Sequence, residues 1–245
     1  MYKIVLNIKI HFNDIKHILG VMSPKNYSKT EAFGIKGVKN FYVDLKNEDN
    51  ITLGVWQILP NEILSEVIEN DDYNYDGALT NGNYNILLYM HGNAGDRATA
   101  LELYDLLRKY YHIFAVDYRG YADSSCADMT ETSIVGDMVE FYKWLRNRSN
   151  SSIFVWGHSL GTGIGTQLIA NLKKENISSH GLILETPFTS VTDVMKTHPI
   201  IKLYNIAVNN RNTTYQGNIT YHLFEELGYD HMSIFKAPEL SAYIR

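Results

Sequence analysis

Val155-Trp156-Gly157-His158-Ser159-Leu160-Gly161 sets a serine between two glycines, where the apolar run Ser152–Trp156 meets a stretch of helical spacing from Leu160 to about Lys174. A serine hydroxyl attacks poorly unless it stands clear of its strand and gives up its proton as it attacks. A sharp strand-to-helix turn meets the first need, and the flanking glycines remove Cβ atoms that would strike strand and helix. Gly163 and Gly165 continue a small face along the helix, so that it can lie close on a sheet. The plainer reading of the same residues is a glycine-rich turn with a capping serine.

Outward from this bend the chain alternates strand and helix. Phe41–Asp44 and Thr52–Leu59 read as a leading antiparallel pair, with period-2 character in Leu53, Val55 and Gln57. Asn85–His91, Ile113–Asp117, Ser152–Trp156 and Leu182–Glu185 are apolar on both faces, as strands covered on two sides must be. Between them, Leu101, Leu103, Tyr104, Leu106 and Leu107 form one helical face and Ile134, Val135, Met138, Phe141, Tyr142 and Leu145 another. This order predicts an α/β fold: a mostly parallel central sheet with helices on both faces. Ligands of such sheets bind at the carboxyl ends of the strands, here His91–Asn93, Asp117–Gly120, Gly157–Gly161 and Glu185–Phe188. Asn70–Asn83 reads as a surface loop, and Asn209–Asn218 as an Asn-rich join.

No Pro-, Gly- or Ser-rich linker divides the 245 residues, so a single domain over 1–245 is expected. A net charge of −5 with scattered Lys and Arg offers no basic field for a phosphate backbone, which argues against nucleic acid as a partner. One cysteine, Cys126, allows no internal disulfide and no CxxC metal site. No apolar run approaches the roughly 20 residues of a spanning helix, and the first residues lack the apolar core of a secretory signal. Against this, Asn-x-Ser/Thr sequons begin at Asn26, Asn50, Asn147, Asn150, Asn176, Asn212 and Asn218, a hint of glycosylated lumenal loops.

Two further pieces complete a chemistry. His91-Gly92-Asn93-Ala94-Gly95 ends the earlier strand. Acyl transfer builds negative charge on a carbonyl oxygen, and the backbone N–H groups of Asn93 and Leu160 are the candidates to meet it. The serine proton needs a base, and imidazole suits that task near neutral pH. His231 is the candidate because it lies C-terminal to the serine, after a strand-like Ile219–Phe224 and the Gly228 loop; His198 and His222 compete with it. A dinucleotide site at Gly161-Thr162-Gly163 with Glu185 beyond is a weaker reading, because the third glycine position holds Thr166.

Taken together, Tyr89-Met-His-Gly-Asn-Ala-Gly95, Val116-Asp-Tyr-Arg-Gly-Tyr-Ala-Asp-Ser124, Trp156-Gly-His-Ser-Leu-Gly-Thr-Gly163 and Leu182-Ile-Leu-Glu-Thr-Pro-Phe-Thr189 resemble one branch of the α/β-hydrolases. That branch is the lysophosphatidylserine and monoacylglycerol lipases. The likeness runs from about Phe33 to Pro199 and resumes from Ile219 through Leu227-Gly-Tyr-Asp-His-Met-Ser-Ile-Phe-Lys-Ala-Pro-Glu-Leu240, leaving 1–32 poorly matched. It implies an α/β-hydrolase fold with Ser159 as nucleophile, His231 as base and the Asn93 and Leu160 amides as oxyanion hole. It also implies a lipid ester substrate such as lysophosphatidylserine or monoacylglycerol, no cofactor, and a place on the lumenal face of the endoplasmic reticulum membrane.

One departure bears on the mechanism. Where the family has the strand whose end carries the catalytic Asp, this chain has the shortened join 209–218, so the fold is expected to be truncated after its sixth strand. Glu185 and Asp193 are the carboxylates that would substitute. The alternative reading is a catalytically impaired, hydrolase-like chain with a binding or structural role. An apolar segment, Ile200, Ile201, Leu203, Tyr204, Ile206 and Val208, either walls an acyl chain or packs as core.

Overall fold

Among the residues that the computed structural model describes, 25–46, 49–65, 72–81 and 83–187, one sheet has six strands in the order β1-β2-β4-β3-β5-β6. They are β1 (Val38–Asp44), β2 (Thr52–Ile58), β3 (Asn85–Met90), β4 (Tyr111–Val116), β5 (Ile153–His158) and β6 (Gly181–Glu185). β2 runs antiparallel to β1, as the leading pair predicts, and also to β4, while β4, β3, β5 and β6 are parallel. The helices are α1 (Tyr75–Thr80), α2 (Leu101–Leu107), α3 (Glu131–Arg146) and α4 (Leu160–Lys174).

β3, β4 and β5 are largely buried on both faces, as expected, whereas β6, last in the strand order among the described residues, is only half-buried and leaves Leu184 exposed. The burial of the inner strands follows from the order in which they are laid down. From β3 the chain steps to β4 on one side, then crosses back past β3 to β5 and continues to β6. With right-handed crossovers this puts α2 on one face and α3 with α4 on the other. Leu87, Tyr89, Ile113, Ala115 and Trp156 accordingly pack with Leu103, Tyr104 and Leu107 of α2. On the other face, Gly165 of α4 lies against Met90, Val155 and Leu182. α3 starts where Thr130 and Ser133 each accept a hydrogen bond from the other's backbone N–H, and it packs along α4.

The expectation of a loop over Asn70–Asn83 is corrected within it: Tyr75–Thr80 is helical. Asn74 caps it by accepting the Gly77 N–H at 2.9 Å, Leu79 is buried, and Gln57 Nε2 donates to the Tyr75 carbonyl. Six residues with a central glycine leave too short a period to read, so tertiary contacts make this helix.

Gln57 Nε2 also donates to the ring of buried His112, at 3.1 Å from His112 Nε2. Burial favours the neutral imidazole and lowers its pKa to about 3. The unfolded chain therefore takes up this proton first as pH falls, and stability present above pH 6.5 is lost between about 6.5 and 3, by up to about 1.4 kcal/mol per pH unit. Urea unfolding of His112→Leu between pH 6 and 4 is expected to fall less steeply with acidity than the wild type. Parallel slopes for the two proteins refute this.

Candidate active site

The order reversal on either side of β3 sends the chain away from β3 and β5 toward opposite faces, which opens a crevice at their carboxyl ends. Ser159 stands at that point, between the last residue of β5 and the first of α4. Its backbone is left-handed, φ 49° and ψ −113°, a conformation costing roughly 1–3 kcal/mol that only fixed surroundings maintain. Those surroundings are visible. The Ser159 N–H donates to the Glu185 carbonyl at 3.0 Å, and the Ser159 carbonyl accepts from Thr162 N–H and Thr162 Oγ1 at 2.9 and 2.6 Å.

The two glycines serve the bend as the spacing predicts. A Cβ on Gly157 would fall under 3.0 Å from backbone atoms of Gly161 and Thr162, and one on Gly161 would strike the Met90 backbone. The contact of Gly161 with β3 also ends the dinucleotide reading. Its Cα faces the Met90 and His91 carbonyls, which leaves neither the space nor the donors that a phosphate requires. The capping-serine reading fails as well: Ser159 occupies the N-cap of α4 but its side chain makes no capping bond.

The Gly92–Asn93 turn lies beside the serine. A Cβ placed on Gly92 would be 3.3 Å from Ser159 Cβ and 3.1 Å from His158 Cδ2, so the next residue, Asn93, is close to Ser159. The segment is fixed by the loop that follows β4. Tyr118 Oη donates to the His91 carbonyl at 2.9 Å, Tyr121 Oη donates to Asn93 Oδ1 at 3.0 Å, and Gly95 N–H closes a turn on the Gly92 carbonyl. Leu160, first residue of α4, has no helical acceptor for its N–H, because the residue four positions back lies in β5.

Beneath this segment is a charge cluster that sequence reasoning missed. Asp117, fully buried at the end of β4, accepts the Arg97 backbone N–H at 2.6 Å and binds the Arg97 guanidinium. The guanidinium also meets Asp123 and Asn40 and stacks on the Tyr27 ring at 3.9 Å. Burial alone would weaken its charge, but the bonds to Asp123 and Asp117 prevail and raise the Arg97 pKa. His91 Nε2 lies 3.3 Å from Asp117 Oδ1. The Asp117 and Arg97 side chains are 20 residues apart in the chain and carry no periodic signal; only the position of Asp117 at a strand end hinted at them.

Of the residues expected to act, Ser159, Leu160 and the Gly92–Asn93 turn come together, with Glu185 next to them. Glu185 is buried, and its Oε2 accepts the Trp156 Nε1–H at 2.9 Å and lies 3.3 Å from His158 Nδ1. His231, Asp193, His198, His222 and the apolar segment 200–208 lie outside the described residues, as do 209–218. Among the described residues, no group of His, Cys, Asp and Glu is placed to hold a metal ion, and no helix is long and apolar enough to cross a membrane. The sequon residues Asn26, Asn50, Asn147, Asn150 and Asn176 are all exposed.

A serine lifted on a left-handed bend at a switch point, with a second turn adjoining it, defines the class: an α/β protein organised around a strand-to-helix G-x-S-x-G bend. The alpha/beta hydrolase fold family matches residues 85–219, and the chain belongs to it. Similar relatives include the lysophosphatidylserine lipase ABHD12 of Rattus norvegicus, 36% identical over 180 residues, which cover 72% of this chain and 44% of that protein. Protein ABHD12B of Homo sapiens is 34% identical over 169 residues, 67% of this chain and 46% of that one. The chain thus spans less than half the length of these relatives. Among solved structures, the epoxide hydrolase VrEH1 of Vigna radiata aligns with a TM-score of 0.44 at 19% identity, over 66% of this chain and 44% of that one.

Proposed function

We propose that this chain is a serine hydrolase that cleaves carboxylic ester bonds of lipid substrates through an acyl-enzyme on Ser159. The observation that carries the reading is the left-handed Ser159 beside the Gly92–Asn93 turn, its hydroxyl free of any capping bond. Ser159 Oγ adds to the ester carbonyl carbon while its proton passes to His231. The carbonyl oxygen, now negative, is met by the Asn93 and Leu160 N–H groups. Collapse breaks the ester C–O bond, the alcohol leaves with the proton held by the imidazole, and water repeats the cycle to release the fatty acid and restore the serine. Lysophospholipids such as lysophosphatidylserine, or monoacylglycerols, are the proposed substrates, supported by the similarity to ABHD12.

A fluorophosphonate probe tests this on the full chain. Labelling that disappears in Ser159→Ala, with the fold retained, is the expected result. A folded wild-type chain that takes no label overturns the reading and favours a binding role for the hydrolase scaffold.

A further inference from the structure

The Glu185 carboxylate faces His158. It is the last residue of β6, in register with His158, the last residue of β5. Only 4% of its side chain is exposed. A carboxylate so far from water needs donors close by. Trp156 Nε1 supplies one at 2.9 Å, and His158 Nδ1, at 3.3 Å, faces the same oxygen. With the proton on Nδ1, the opposite edge of the imidazole is turned from Glu185. That edge lies against Gly92, where a Cβ would be 3.1 Å from His158 Cδ2 and 3.6 Å from His158 Nε2. The same point is 3.3 Å from Ser159 Cβ. One ring therefore fills the space between the end of β6 and the turn that presents Asn93. The Glu185 carbonyl meanwhile accepts the Ser159 N–H.

We propose that His158, held by Glu185, is a positioning residue that sets the spacing between the Ser159 hydroxyl and the oxyanion turn. This rests on the reading of Ser159 as nucleophile. In this role His158 acts through Gly92 and Ser159 rather than on the substrate. Glu185 serves the bend twice, with its carbonyl on the serine backbone and its carboxylate on the ring that props the turn. A wedge of this kind needs both the breadth of a planar side chain and a donor on the Glu185 side. A branched aliphatic residue fills some of the volume but removes the polar contact of the ring with the carboxylate.

The test measures kcat and KM separately for p-nitrophenyl butyrate on the full chain. His158→Leu is expected to lower kcat about 10²-fold, the cost of a misplacement near 1 Å, while KM stays within about threefold. His158→Asn places an amide donor where Nδ1 stood and recovers about tenfold of that loss. Glu185→Leu, which removes the acceptor, lowers kcat in the wild type and adds much less in the His158→Leu background, because both changes break one contact. A rise in KM with kcat intact overturns the proposal, as does a His158→Asn no better than His158→Leu. Additive losses overturn it too, and would assign Glu185 to a different partner such as the general base.

If the folded wild type neither turns over nor labels at Ser159, the hydrolase reading has failed, and amide hydrogen exchange decides the positioning role alone. Slow exchange across 157–161 in the wild type and His158→Asn, with faster exchange in His158→Leu, supports it. Equal exchange in all three refutes it.

Discussion

Gly161→Ala is expected to destabilise the protein by about 3 kcal/mol, the upper end of the usual cost of forcing atoms into packed space. The added methyl would meet the Met90 carbonyl oxygen and carbon under 3.0 Å, with the His91 carbonyl oxygen at 3.1 Å. These are backbone atoms of a central strand, not the yielding end of a side chain. Met90 is in register with Val116 on one side and Gly157 on the other, so it cannot retreat without loosening β3 from both neighbours. The alternative is for α4 to lift away, which carries Leu160 and Ser159 with it. Either relaxation separates the serine from the proposed oxyanion donors, so probe labelling should drop by about 10²-fold even in the fraction that stays folded. Gly136→Ala is the internal comparison. That residue sits within α3 with nothing inside 4 Å of an added Cβ, and alanine there should raise stability by about 0.5–1 kcal/mol. Urea midpoints of the two variants moving in the same direction would contradict the packing argument.

Asp117→Ala is expected to cost about 3–5 kcal/mol, the range seen when one partner of a buried ion pair is removed. Arg97 is fully buried and keeps only Asp123, itself partly exposed, as a charged partner. The variant also releases the Arg97 backbone N–H, which anchors the far end of the oxyanion segment. Stability and labelling should therefore fall together. Adding Arg97→Met to Asp117→Ala is expected to restore part of the stability, since the stranded charge is gone, but not the labelling, since the anchor stays lost. The pair of measurements separates a charge penalty from a positional one. Less than about 1 kcal/mol lost by Asp117→Ala would show that Asp123 alone satisfies the guanidinium.

The bend and the parallel strands were readable because each has a local cause. Consecutive apolar residues report a strand covered on both faces for β3, β4 and β5, though not for β6, where Leu184 is exposed, and Gly157 and Gly161 report close backbone approach around Ser159. α4 follows from its spacing over the same range that the structure shows, Leu160–Lys174. The supports of the site were not readable. Asp117, Arg97, Asp123, Tyr27 and Asn40 meet only after the sheet is assembled, and a run of polar residues at strand ends looks like ordinary surface. Glu185 was noticed as a carboxylate near the site, but its partner was not. The signal existed in outline: two parallel neighbours that end together set His158 opposite Glu185. Register is the quantity that a single sequence withholds.

The stretch matched by the hydrolase family begins at residue 85, yet the scaffold of the catalytic end begins far earlier. Tyr27 roofs the Arg97 guanidinium and bonds Asp96, Asn40 reaches the same cation, and Tyr42 donates to Asp123. The antiparallel hairpin thus acts as a buttress rather than an ornament on the sheet. A minimal fragment drawn at the family boundary would keep the serine and strip the lid from a dehydrated cation next to it, so any dissection of this chain has to start upstream of Tyr27.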